Sequence, residues 1–385
     1  MSEYQYYEFA AIDRPLTRNE MAQLRAVSSR AVITPTGFSN HYEWGSLKAD
    51  PSDWMRRYFD AFVYTANWCS CRLALRVPLT TFRKAELQPF ATTYALTIDS
   101  CDEQWIFDWA LNESEDYDRF GEDDGSSWMR RLAPLRDELL RGDLRPLYLG
   151  WLAGAGNGEL GEDALEPEVP PGLSELSPAQ QALADFLEID PDMLTAAMAG
   201  SAGAPKIEAD DGDHLDAWLG EWSRDEMITV LKLLTQGLGR EAERKVRSRH
   251  AAWLKALSPS HASASPGRSV AELRELARSA SGVRQAREAK ERAQQEAERR
   301  RQREAQLREL MSSVDQHWEA IDAQARRASA SGYGQAVAAL AALAEAYVLV
   351  SSCEEFERAL RRFVVRHAAR GALMRRLTEA GLWSG

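Results

Sequence analysis

Along this chain of 385 residues the spacing of hydrophobic positions shifts between strand-like and helix-like, and each shift predicts an element. Residues 6–12, YYEFAAI, are rich in strand formers. Thr17 and Glu20 then have the spacing of a capping box, and Met21, Leu24 and Val27 repeat at helical steps. Residues 31–44 read as strand again, with Pro35 and Gly37 predicting a bend or a sheet edge. Asp50 and Pro51 start a second helix, along which Trp54, Tyr58, Phe62 and Thr65 are expected to share a face. Leu73, Leu75 and Val77 alternate with polar or small residues, as in a half-buried strand. Two more strands flank a turn at 100–103. Residues 128–153 read as a helix, a stop at Gly142 and a second apolar piece. Interleaved strands and helices predict an α+β domain over 1–153, a mixed sheet with helices on one face.

Residues 154–176 are rich in Gly, Pro and acids without periodicity and read as an acidic linker, with GAGNG at 154–158 as loop. Everything beyond is all-α. A helical domain is expected over 177–257, opened by Ser177, Pro178 and Gln180. Within it Ser223 and Glu226 form another box, and Met227, Val230, Leu231 and Leu234 build an apolar stripe of the kind that faces a core. A break falls at 199–213 and a flexible joint at 258–267. Residues 268–328 predict a long, largely solvent-exposed polar helix, and 329–385 a C-terminal helical bundle.

The middle of the long helix, REAKERAQQEAERRRQREAQ at 287–306, holds no residue more apolar than alanine. Its residues are strong helix formers, and Arg287–Glu291, Glu288–Arg292, Glu296–Arg300 and Arg300–Glu304 are i,i+4 pairs, each contributing roughly 0.2–0.5 kcal/mol. It is expected to stand in water as a strut between apolar ends at 270–283 and at Leu307, Leu310, Val314, Trp318 and Ile321. A weak coiled coil along Ala286, Ala289, Ala293 and Ala297 is one alternative. Phosphate binding by Arg299, Arg300, Arg301, Arg303 and Arg308 is another. Glutamates dilute that field, and no aromatic is interleaved for base stacking.

Charge sharpens this division. Residues 1–150 carry 17 basic and 23 acidic side chains, 151–223 carry 1 and 16, and 224–385 carry 29 and 20, for a net −12. An acidic segment and a basic arm are expected to have different neighbours, or to attract each other. Four cysteines, an N-terminus without signal features and no run of about 18 apolar residues predict a reduced, cytoplasmic protein that does not enter the membrane.

Candidate chemistry is sparse. The sequence has no phosphate-cradling Gly-rich motif, no HExxH and no GxSxG. Cys69 and Cys71 lack the second pair a zinc site needs, so no metal or cofactor is expected. Asp99, Asp102, Glu103 and Asp108, and the run at 115–125, read as solvated acidic loops rather than cation sites. His41 and Glu43 share a face of one strand and form a speculative polar site, a base with its orienting acid. Of Trp44, Trp54, Trp68, Trp105, Trp109, Trp128 and Trp151 most are expected in the core, and an exposed cluster would mark a docking face.

Two blocks carry resemblances. Residues 6–45, with the string EFxAIDRPLT at 8–17, resemble the start of an uncharacterised bacterial protein family, which implies bacterial cytoplasmic origin and no activity. The helical tail resembles C-terminal segments of some bacterial SWIM zinc-finger proteins at Trp318, Ile321, Tyr333, Ala336, Val337, Leu340, Leu343, Phe356, His367, Leu373 and Leu382. The SWIM zinc pattern is absent beyond Cys69 and Cys71, so that function does not carry over. The expected function is a non-enzymatic interaction or adaptor protein with another protein as partner. Nucleic-acid association through the basic C-terminal helices is the alternative, and an enzyme sited at His41 and Glu43 the third reading. Oligomeric state has no signature in the sequence.

Overall fold

A computed structural model describes residues 4–112, 125–201, 213–239 and 267–383, with single positions between 240 and 253. The chain divides into two compact units, Met1–Gly282 and Val283–Gly385.

The first unit is built on seven strands: β1 Tyr4–Ala10, β2 Val32–Thr34, β3 Gly37–Glu43, β4 Ala61–Ala66, β5 Cys71–Pro78, β6 Leu96–Cys101 and β7 Gln104–Leu111. Their order is β2-β3-β1-β4-β5-β7-β6, and every neighbouring pair is antiparallel. The fold class is α+β, but the sheet is not mixed. Helices α1 (Arg18–Val27) and α2 (Pro51–Arg57) follow β1 and β3. Strand β1 slots between β3 and β4, so the two strands that α2 links never become neighbours. The other adjacent pairs that follow one another in sequence close through short hairpins, which only antiparallel strands allow.

Nor is the sheet covered on one face. Phe62 of β4 joins Phe9, Phe38, Trp54 and Tyr58 in a core under α1 and α2. Its neighbours Ala61 and Val63 point the other way, into a larger core with Leu73, Leu75, Phe107 and Trp109. Successive side chains of a strand point to opposite faces, so strands apolar at both parities need two covers. The second cover comprises α4 (Trp128–Leu132), α5 (Pro134–Leu140), α6 (Arg145–Gly156), α7 (Pro178–Phe186) and α8 (Pro191–Met198), beyond the short α3 (Lys84–Leu87). Gly150 lets α6 approach the sheet, since a Cβ there would lie 2.7 Å from the Trp109 ring.

The expected helix through Thr65 ends at Arg57. Residues 61–66, AFVYTA, pair instead with β1 and β5. Trp54, Tyr58 and Phe62 do share one core. Their spacing reported burial correctly and conformation wrongly.

A buried carboxylate ties these layers together. Asp60 is 1% exposed and accepts from the backbone N–H of Ile12 (2.7 Å) and Asp13 (2.8 Å) and from Arg76 Nη2 (2.6 Å). Burial alone would raise its pKa, but the Arg76 and Arg136 charges and the Asp13 N–H hold it below the usual carboxylate range.

The acidic stretch read as a linker lies inside this unit. Its first residues complete α6, and Leu173 is fully buried. Glu166, also buried, accepts from Tyr148 Oη, from Arg268 Nε at 2.7 Å and from Arg268 Nη2 at 2.8 Å. The Glu166 N–H donates to the Arg268 carbonyl at 2.8 Å, and a Cβ at Gly267 would lie 2.6 Å from the Glu166 carbonyl oxygen. The chain is thus clamped where the next long helix starts. That helix, α11 (Val270–Ser312), follows α9 (Asp213–Gly220) and α10 (Arg224–Thr235), and sinks Val270, Leu273 and Ala277 into the larger core.

In the second unit α11 continues through 287–306, where every residue but the half-buried Glu288 is exposed. The Arg287–Glu291 pair is present at 3.7 Å, and Arg284–Glu288 at 3.1 Å joins it. Glu304 pairs with Arg308 at 3.6 Å rather than with Arg300. The helix does not run on to 328. It breaks at Ser313 (φ −128°, ψ 34°), and α12 (Val314–Arg326), α13 (Ala330–Val350), α14 (Cys353–His367) and α15 (Gly371–Glu379) complete a bundle. Its core holds Ile321, Leu340, Leu343, Phe356, Leu360, Phe363, Leu373 and Leu377. Although no membrane-length segment was expected, α13 is long and apolar enough to cross a membrane by length and composition. Here its Ala336, Leu340, Leu343 and Ala346 are fully or almost fully buried.

Candidate functional site

His41 and Glu43 lie on β3 opposite Tyr6 and Tyr4, and both are exposed. The His41 ring stacks on Tyr4 with centroids 6.1 Å apart. Neither residue lines the two cavities described below. Close by, Trp44 is 70% exposed in the left-handed region (φ 61°), and Trp68 at the β4–β5 turn is 39% exposed. The other five tryptophans named above are buried, as expected.

The thiols and acids do not converge either. Cys69 and Cys71 are buried, and Cys71 Sγ donates to the Phe186 carbonyl at 3.0 Å. Among the described residues no three or more His, Cys, Asp or Glu side chains gather as a metal site. The hairpin carboxylates separate: Asp99 pairs with Arg56 at 3.0 Å, while Asp108 receives Arg72 Nε at 2.8 Å on the opposite edge of the strand pair. The run at 115–124 lies outside the described residues. A cavity of about 460 Å³ does open between α6, α8 and the start of α11. Glu162, Glu188, Asp190 and Asp192 line it with Arg274 and Arg278, a mixed set without a common chemistry.

The most distinctive surface of the first unit is α10. Ser223 and Glu226 form the capping box that starts it, and Val230 is buried. The rest of the expected core stripe is not. Met227 is 41% exposed, Leu231 59% and Leu234 51%, and Ile228 and Leu238 extend the strip. Positions 227, 231 and 234 step by four and three residues, the spacing of a coiled-coil seam, and Leu238 follows the helix end beyond Gly237 (φ 77°). Beneath lies a cluster of Trp218, Trp222 and His250, with Trp218 and His250 ring centroids 4.6 Å apart. Their Nε1 and Nε2 atoms are buried without a hydrogen-bond partner among the described residues.

The cationic candidates fall on two helices. Arg299, Arg300, Arg301, Arg303 and Arg308 are all exposed on α11, but at 100° per residue they spread round more than half its circumference. Arg303 is committed to Glu345 at 2.5 Å and Arg308 to Glu304. On α14, by contrast, Arg358, Arg361, Arg362 and Arg366 share one exposed face around Val365. The sequence reading did not single these out. Its signal was there: the four lie opposite Phe356, Leu360, Phe363 and Val364, which the core buries.

Below that face the bundle holds a buried pair. His367 Nε2 lies 2.8 Å from Asp322 Oδ1, and Arg326 donates to Asp322 Oδ2 at 2.6 Å. Burial would raise the Asp322 pKa, but the His367 hydrogen bond and the Arg366 and Arg326 charges hold it below the ordinary range. The pair joins α12 to α14 and opens onto no cavity among those described.

Comparison with protein-family models, with curated proteins and with solved structures finds no match for this chain.

Proposed function

We propose that this protein is a non-enzymatic adaptor of the cytoplasm, and that the α10 stripe is where it holds another protein. The supporting observation is the row Met227, Leu231 and Leu234, aliphatic, exposed and at seam spacing on α10. Burying one such side chain is worth about 1.5–3 kcal/mol, so the row gains most from a partner that covers all of it. The spacing fits an amphipathic helix carrying its own apolar residues at three- and four-residue steps. The exposed polar length of α11, within the second unit, stands without a core of its own.

The test uses the full chain with a photo-crosslinking residue at Thr235, in nuclease-treated extract of the native host. The expected adduct maps to a helix of one other protein and disappears in L231E/L234E. Adducts only between two copies of this chain, or capture unchanged by L231E/L234E, would overturn the reading.

A further inference from the structure

We infer that the exposed arginine face of α14 binds the phosphate backbone of double-stranded nucleic acid, without regard to sequence. Arg358, Arg361, Arg362 and Arg366 occupy about 140° of the helix surface at 100° per residue. They extend along about 12 Å of axis at about 1.5 Å per residue, comparable to the width of about 12 Å of a major groove in B-form DNA. With Val365 between them, Arg361, Arg362 and Arg366 line a surface depression of about 580 Å³.

Their charges are weakly engaged within the protein. Arg361 has Glu357 at 3.7 Å and Arg366 has Asp322 at 3.5 Å, both longer than a charge-assisted hydrogen bond. Arg358 and Arg362 have no carboxylate within 4.0 Å among the described residues. Of the other arginines that follow, Arg375 is also exposed, while Arg370 and Arg376 are used within the bundle. Arg370 donates to the Ala325 carbonyl at the end of α12, and Arg376 to the Ala330 carbonyl at 2.5 Å. Packing therefore ties Arg370 and Arg376 to other helices, whereas Arg358 and Arg366 donate to carbonyls of their own helix, both at 3.4 Å.

The chemistry of the face selects the ligand. Every cation on it is Arg, whose planar fork matches phosphate oxygens two at a time. Membrane-surface helices turn Trp, Phe or Leu toward the lipid. Here the apolar side of α14 is closed inside the bundle, and Val365 alone stands exposed among the arginines. A single-strand site would present aromatic rings for base stacking, and this face has none. It also lacks Asn and Gln to read adenine edges, and the scrambled duplex below tests whether the arginines contact backbone rather than guanine.

The experiment measures anisotropy of a labelled duplex of about 20 base pairs and scrambled sequence, as DNA and as RNA, with the full chain. Four phosphate contacts give a slope of about −3.6 in log affinity against log salt, so affinity falls about 150-fold from about 50 to 200 mM. R358Q/R361Q/R362Q leaves one contact, and the same rise in salt then costs about three- to fourfold. R299Q/R300Q/R301Q on α11 is expected to leave the slope unchanged. Circular dichroism confirms that both variants fold. The inference is overturned by no duplex binding at 50 mM, by a slope that follows the α11 variant instead, or by tighter binding to phosphatidylserine vesicles than to either duplex. L231E/L234E leaves duplex binding intact if the two surfaces are separate, so failure of the α10 reading is distinguishable.

Discussion

Helices α10 and α11 both turn long faces to water, but in opposite ways. Residues 287–306 of α11 expose charges and alanines, and exposure costs them almost nothing. They already have what an isolated helix needs, high propensity and i,i+4 pairs. Helix α10 exposes Met227, Ile228, Leu231 and Leu234, each of which loses stability by staying wet. A polar exposed helix is complete as it stands. An aliphatic exposed helix gains stability from whatever covers it.

The comparison can be broken first at the clamp where α11 starts. R268A strands the buried Glu166 carboxylate beside Tyr148 and is expected to cost about 3–5 kcal/mol in urea unfolding of the first unit. L273A, which empties a fully buried position of the same helix, is expected to cost about 2–5 kcal/mol. A loss below about 1 kcal/mol in both would mean that the first turns of α11 are not anchored.

An acid limb of smaller size is expected from the second unit. Asp322 has a folded pKa below its unfolded value, about 3.9 for an aspartate. Its contribution is therefore complete above that unfolded value and is lost as pH falls through the folded one. Helicity of the bundle followed from pH 5 downward should drop less steeply in D322N than in the native chain. Identical limbs would assign the acid sensitivity to other carboxylates.

The sharpest contrast lies at the smallest effects. L231E/L234E should change unfolding free energy by no more than about 0.5 kcal/mol per site, as for other surface changes, while abolishing partner capture. E291Q on α11 should cost about 0.2–0.5 kcal/mol in low salt and nothing in high salt, measured by thermal melts. A large stability loss in L231E/L234E would show that the stripe is core after all.

Much of this was legible in local sequence. The boxes at Thr17/Glu20, Ser177/Gln180 and Ser223/Glu226 all form, and the hairpin around Asp102 closes as β6 and β7. The exposed helix at 287–306 follows from propensity and charge spacing alone. What local pattern does not carry is which side of an apolar element finds a cover. The stripe of α10 and the row Trp54, Tyr58, Phe62 look alike in sequence, yet one is wet and the other lies in a core. The arginine face of α14 was hidden for the same reason: seven arginines follow Glu357 in the sequence, and only packing shows that Arg370 and Arg376 spend donors on carbonyls of other helices.

By itself, then, the sequence determined most of the strands and helices, the starting caps at Thr17, Ser177 and Ser223, and a polar helix able to stand in water, because those depend on neighbours within about four residues; β4 and the break at Ser313 it did not. Tertiary structure alone decided that β1 would sit between β3 and β4, that Arg268 would meet Glu166 across 102 positions, and that His367 would reach Asp322. Such pairings depend on how layers stack and which polar groups lose water together, and burial of that kind is a property of the assembled fold.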